Sequence, residues 1–247
     1  MKNRTMIKAG IKKHKGSLFG IAVLMFLVSL SLSAVLTVYL GGRSHIRREI
    51  HRAGFGNLTA WVSEVPDMGS LTGSIQEQKE IQKVEVQDLI FADYEANGVK
   101  SDSEGQLMPW TPEEERYHFF QKDLAGHRVP PQKISSGQIY VSPSMLTIMN
   151  LKIGDAVTFP LARGGESISF QVAGYYEDPF MGSSMIGMKG FLISAGDYEK
   201  ILQKIEKAGR DRLAESGAMI HLSVKDGSKI NMSAVQQILY EIGRAHV

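Results

Sequence analysis

Apolar residues fall into two regimes along this chain. GSLFGIAVLMFLVSLSLSAVLTVYLGG, Gly16 to Gly42, runs for 27 residues without a charge, whereas later apolar positions come in short alternating or helically spaced runs. At about 1.5 Å per residue the first stretch makes a helix of roughly 40 Å, and about 20 apolar residues already cross a bilayer's hydrocarbon core. A buried core helix is rarely apolar on every face for this length. A cleavable signal peptide is the main competitor, since SLSLSA (Ser29 to Ala34) offers small residues, but VLTVYL continues the apolar run past them. The stretch therefore reads as a retained transmembrane helix over 17–40, preceded by a basic N-terminus over 1–16.

Beyond it, RSHIRREIHRA places Ile46, Ile50 and Ala53 on one helical stripe. A helical extension over 41–54 is expected, ended by Gly54 and Gly56. Each glycine of Gly41-Gly42 costs a helix interior about 1 kcal/mol against alanine. The spacing of Ile46 and Ile50 nevertheless predicts one unbroken helix. Gly54-Phe55-Gly56 is either a hinge or a plain helix stop.

The remaining pattern mixes strands and helices. Strands are expected at Asn57–Val65 and from Val84 to Gly98, with Asn97-Gly98 as a hairpin turn. TPEEERYHFF (Thr111 to Phe120) carries helix-start signals, with Thr111 as N-cap, Pro112 next and acids in the first turn. GQIYVSPSMLTIMNLKIGDAVTF (Gly137 to Phe159) reads as strand, helix started by Ser142-Pro143, Gly154-Asp155 turn, strand. SISFQVAGYYED (Ser167 to Asp178) alternates Ile168, Phe170 and Val172 on one face. A strand then leads into a helix with Ser194 and Asp197 in capping-box spacing. AMIHLSV is a strand, Asp226-Gly227 a turn, and Ser233 to Ile242 a last helix. Without a regular βαβ rhythm the class is α+β: an extracytoplasmic domain over 55–241 anchored by one N-terminal transmembrane helix.

Charge sharpens the division. Residues 1–52 carry ten Lys/Arg against the single acid Glu49, and the rest carries eighteen against twenty-five. The basic end suits anionic lipid headgroups, and the acidic remainder offers no nucleic-acid footprint. Six basic residues precede the span and four follow it, which puts the N-terminus in the cytoplasm. With no cysteine, disulfides, zinc–thiolate sites and a thiol nucleophile are excluded.

Candidate chemistry is sparse. There is no phosphate-binding Gly-rich loop with Lys-Ser/Thr, no His-Glu-x-x-His helix, and no ligand-like spacing among His14, His45, His51, His118, His127, His221 and His246. GSSMIG (Gly182 to Gly187) is not a nucleophile elbow, PEEE (Pro112 to Glu115) is explained by the helix macrodipole, and EDP (Glu177 to Pro179) reads as a turn. No catalytic, cofactor-binding or metal-ligating residue is assigned, and the chain is read as a non-enzyme.

One combination is more specific: Gly137, Ile139, Tyr140, Val141 and Ser142, then Leu151, Ile153, Gly154, Asp155, Val157 and Phe159, then Phe170, Val172 and Gly174. Its order and spacing, behind a basic start and one apolar helix, resemble the FtsX-like/MacB-like permeases of ABC transporters over nearly the whole chain. The resemblance implies a MacB-type periplasmic core and a role as the membrane subunit of an ABC exporter or mechanotransmission complex in a bacterial cell membrane. Implied partners are a separate ABC ATPase on the cytoplasmic side, a second permease subunit in a homo- or heterodimer, and membrane lipid, with no nucleic acid. A variant of this reading recruits a cell-wall hydrolase; the alternative class is a single-span receptor or adaptor. Such permeases are expected to continue with three further membrane helices. IGRAHV (Ile242 to Val247) can be written ATC GGA AGA GCA CAC GTC, the start of a common sequencing adapter. Residues 242–247 are therefore expected to be a non-native tail on a reading frame that runs off a sequenced fragment.

Overall fold

Helix α1 runs unbroken from Lys15 to Arg52, through Gly41-Gly42. The structure is a computed structural model that describes residues 15–112, 116–120, 127–129, 133–225, 227–242 and 244–246. It divides into two units, Met1–Arg48 and Glu49–Val247. In the first, none of the most apolar window of α1 is buried in protein. Leu24, Phe26, Leu27 and Val35 all stand exposed. A helix apolar on every face needs such surface covered by lipid. Among the described residues it is the one helix long and apolar enough to cross a membrane.

The second unit is α+β. Its strands are β1 (Leu58–Ser63), β2 (Ile81–Ala92), β3 (Glu95–Ala96), β4 (Val99–Lys100), β5 (Glu104–Trp110), β6 (His118–Phe120), β7 (Arg128–Val129), β8 (Gln138–Val141), β9 (Ala156–Pro160), β10 (Ser167–Glu177), β11 (Met188–Ser194), β12 (Ala214–Val224) and β13 (Arg244–His246). Its helices are α2 (Met68–Gln76), α3 (Ser144–Met149), α4 (Ala195–Ala208) and α5 (Met232–Ile242). Among the described residues the sheet runs β13-β1-β12-β2-β5-β11-β8-β10-β9-β3-β4, with β6 on β10 and β7 on β6. Pairs β5–β11 and β8–β10 are parallel; the others are antiparallel.

Alternation along the central strands loads both faces of the sheet. Leu107, Phe191 and Ile193 point to one core, which α3 and α4 cover through Met145, Tyr198, Ile201 and Ile205. Met108, Leu192 and Tyr140 point to the other, completed by Ala53, Phe55, Tyr117 and Phe119. A third cluster packs Leu71 and Ile75 of α2 and Val235 and Leu239 of α5 onto β1 and β12. Burying Leu71 and Ile75 completely stabilises this corner by about 1.5–3 kcal/mol each.

Two expectations need correction. Within Thr111 to Phe120, residues 113–115 lie outside the described residues, and His118–Phe120 is the strand β6, paired with Tyr176 and Glu177 of β10. Phe119 is fully buried there against the Trp110 ring at 5.2 Å, so tertiary pairing overrides the local helix-start signal. Pro143, not Ser142, flanks α3 and makes no side-chain cap bond; the Ser142 hydroxyl lies 2.7 Å from that of Ser144 instead. The turn expected at Asp226-Gly227 falls partly outside the described residues, at Asp226.

Candidate functional site

The residues with the richest charge chemistry gather around the last turn of α1, within the second unit. Helix α1 closes in a Schellman motif: the Phe55 N–H donates to the Ile50 carbonyl at 3.2 Å and the Gly54 N–H to the His51 carbonyl at 3.1 Å. Gly54 supplies the left-handed backbone this requires, with φ 74°. Ile50 and Phe55, the apolar pair of the motif, both pack into the core of Met108 and Leu192. Gly56 follows at φ 64°, and a Cβ there would overlap the Leu222 carbonyl oxygen. Phe55 is 1% exposed, its ring 5.0 Å from that of His221 and 5.5 Å from that of Phe180, with the Arg116 guanidinium 5.4 Å above it. Gly54-Phe55-Gly56 is therefore a locked stop, not a hinge.

Glu49, one turn earlier, centres an ion-pair network. Arg52 Nε donates to Glu49 Oε2 at 2.8 Å, and Arg52 Nη2 donates to the Arg116 carbonyl at 3.3 Å. Arg128 of β7 donates to Glu177 Oε2 of β10 at 2.6 Å and lies 3.9 Å from Glu49 Oε2. His118 of β6 places Nε2 3.7 Å from the same Glu49 oxygen. The hydrogen bond from Arg52 holds the Glu49 carboxyl below its ordinary range against the opposing effect of burial. Burial, then the charges of Arg52 and Arg128, depresses His118, so its imidazole is neutral at pH 7. The donor atoms of Glu49, His118 and Glu177 lie within 4.8 Å of one another, as a metal set would. Both carboxylates, however, are already engaged by guanidinium groups, and Arg128 of β7 sits between Glu49 of the helix and Glu177 of β10.

Beneath it lies a buried polar chain. His221 Nδ1 is 2.9 Å from the Thr59 hydroxyl and Nε2 is 3.4 Å from Gln87 Oε1, while Gln87 Nε2 donates to Tyr117 Oη at 2.9 Å. Burial, reinforced by the Arg116 charge, pushes His221 down to about 3. It is a neutral, satisfied core histidine.

The other sequence features are structural. Ile139, Val141, Leu151, Val157, Phe159, Phe170 and Val172 share one core, so the Gly137 to Gly174 pattern encodes packing. Asp178 of the EDP segment accepts from the Phe180 and Met181 N–H groups at 2.9 and 2.8 Å, the turn its sequence suggests. Ser194 Oγ accepts from the Asp197 N–H at 3.1 Å and donates to Asp197 Oδ2 at 2.9 Å, a variant of the expected capping box. The Glu49 network was invisible in sequence because its members are far apart in the chain and belong to α1, β6, β7 and β10.

No family model and no curated protein matches the chain. Similar solved structures do exist. One is the periplasmic region of MacB from Actinobacillus actinomycetemcomitans: 15% identity, 80% of this chain and 87% of that one covered, TM-score 0.34. Another is the extracellular domain of the noncanonic ABC-type transporter YknZ from Gram-positive bacteria: 9% identity, 77% and 100% covered, TM-score 0.34. A third is a candidate lipoprotein from Bacillus anthracis: 11% identity, 76% and 95% covered, TM-score 0.37.

Proposed function

We propose that this chain belongs to a permease subunit of an ABC transporter or mechanotransmission complex. In this reading residues 17–40 lie in the bilayer, 41–54 carry the helix outward, and the acidic domain over 55–241 stands outside a bacterial cell membrane. The basic residues of 1–16 stay in the cytoplasm against anionic lipid. A separate ATPase dimerises there on binding ATP and moves the membrane helices of two paired permease subunits. One observation carries the reading. Helix α1 continues without a break from its apolar stretch into a last turn whose Ile50 packs into the domain core and whose Glu49 faces Arg128 of β7. A transmission element needs a continuous helix here; a receptor that only displays a ligand-binding domain does not.

The test is co-expression of the protein with ABC ATPases of the same genome. The permease reading expects both to co-purify from detergent-solubilised membranes, with ATP hydrolysis raised over that of the ATPase alone. A chain that purifies without any ATPase, and leaves its hydrolysis unchanged, overturns it in favour of a single-span receptor.

A further inference from the structure

A polar cavity of about 330 Å³ opens where the last turn of α1 meets the start of β1, the start of β2 and the end of β12. Its donors come from three separate segments: His51 of α1, Asn57 just before β1, and Ser223, Lys225 and Ser228 at the end of β12 and in the turn after it. Two of them are held in place from behind. The Asn57 N–H donates to the Leu222 carbonyl at 2.7 Å and its Oδ1 accepts from the Val224 N–H at 3.0 Å, which leaves the Nδ2 amine to donate. Lys225 Nζ donates to the Lys79 carbonyl at 2.6 Å, which spends one of its three N–H groups and fixes the ammonium beside the cavity. The turn itself is pinned by the Lys225 N–H on the Glu80 carbonyl at 3.0 Å and the Ser228 N–H on the Lys225 carbonyl at 2.9 Å.

No carboxylate stands among the described lining residues. Among the described residues no ion pair takes up Lys225 or His51. Nor does a protein acceptor there take up Asn57 Nδ2 or the hydroxyls of Ser223 and Ser228. The acids on the neighbouring strand and its approach are engaged elsewhere: Glu85 holds Lys83 at 2.9 Å, and Glu80 accepts from the Asn231 N–H at 3.1 Å. Asp226 falls outside the described residues; Lys225 and Lys229 stand on either side of it in the sequence, so the segment keeps a net positive charge.

We propose that this cavity binds a phosphate ester, with the phosphate group at Lys225 and a small polar body in the remaining space. A phosphate group offers several acceptor oxygens and negative charge, which match an ammonium with two N–H groups to spare, an amide and two hydroxyls. A metal ion would meet that ammonium and no carboxylate among the described lining residues, and a neutral sugar would gain nothing from its charge. The volume lies at the lower end of the roughly 300–1,000 Å³ range of small-molecule sites, which suits a glycerol- or monosaccharide-sized body beside the phosphate. Lipid headgroups and soluble phosphate esters share this chemistry. The site stands on this geometry whether or not the chain is a permease.

The test is isothermal titration of the full chain in dodecyl maltoside, a detergent without phosphate, with two probes. Glycerol 3-phosphate represents a soluble ester, and glycerophosphoglycerol the headgroup of an anionic lipid without its chains. Saturable binding is expected, the tighter of the two esters identifying the source, with none for glycerol. Lys225→Gln with Ser228→Ala leaves the backbone bonds of the turn in place and weakens binding about tenfold or more while the thermal midpoint stays put. Should the double variant lower the midpoint, Ser223→Ala alone gives the second reading, a loss of about threefold. Glycerol binding as tightly as the esters, heats that saturate for neither ester, or an affinity unchanged in the variants would each overturn the proposal.

Discussion

Phe55 and His221 meet edge to face, their ring centroids 5.0 Å apart. The first stands just past the end of α1 and the second in the middle of β12, 1% exposed. The pair fastens the helix stop to a long central strand. Phe55→Ala is predicted to cost about 3–5 kcal/mol, as for other buried aromatics, and Phe55→Leu under about 1.5 kcal/mol. Urea unfolding of a soluble segment from Arg43 to Tyr240 measures both. That segment is itself predicted to be soluble and cooperatively folded, having its own cores. A cost below about 1 kcal/mol for Phe55→Ala would show that this side chain does not anchor the joint.

Stability should fall on acidification earlier than carboxylates alone would cause. His221 titrates near 3 when folded and near its ordinary 6.5 when unfolded. Above 6.5 both states are neutral and there is no penalty. As the pH falls from 6.5 toward 3, only the unfolded state takes up the proton, and stability drops by about 1.4 kcal/mol per pH unit. His118, depressed as well, acts in the same direction. Asp197 enters later. Burial opposes its ionisation, but bonds from Ser136, Lys200, the Gly137 N–H and Ser194 bring it to about 2, so its contribution is lost only below its ordinary 3.8. Urea midpoints at pH 7.5 and 5.0 check this, and His221→Gln should flatten the difference. A midpoint unchanged between those pH values would contradict a neutral, buried His221.

Much of the fold was legible where the signal is local. The apolar run of α1, the Asn97-Gly98 turn between β3 and β4, the Gly154-Asp155 turn before β9 and the Ser194 cap of α4 each need only neighbouring residues. Helix α2 was missed because its sequence, MGSLTGSIQ, holds two glycines and only Leu71 and Ile75 as buried anchors. It forms because α5 and β2 cover that pair, with Asp67 capping Ser70 N–H at 2.9 Å. Strand β6 was misread because its partner, β10, lies far along the chain. The Glu49 network failed to show for the same reason: pairing between distant carboxylates and guanidinium groups leaves no spacing to read.

The absence of cysteine makes topology directly measurable. A single cysteine in place of the exposed Asp102 is predicted to react with a membrane-impermeant maleimide on intact spheroplasts. One in place of Lys2 should react only after permeabilisation. The reverse pattern would invert the orientation, and recovery of a soluble product beginning near Val35 would establish a cleaved signal peptide instead.

Motion carried through α1 is the core of the proposed mechanism, and proline at Ser44 is the means to interrupt it. Proline in a helix interior costs roughly 3 kcal/mol and breaks the hydrogen-bond ladder, while Ser44 lies outside both the acidic domain and the cytoplasmic end. Spin labels on Asp102→Cys in the two permease subunits, assembled with their ATPase in nanodiscs, report the separation of the external domains by pulsed electron resonance. The prediction is a change in that distance between the nucleotide-free state and the state trapped with ATP and vanadate. Ser44→Pro should abolish the change while assembly and ATP hydrolysis persist. An identical distance change with and without the proline would contradict transmission through this helix.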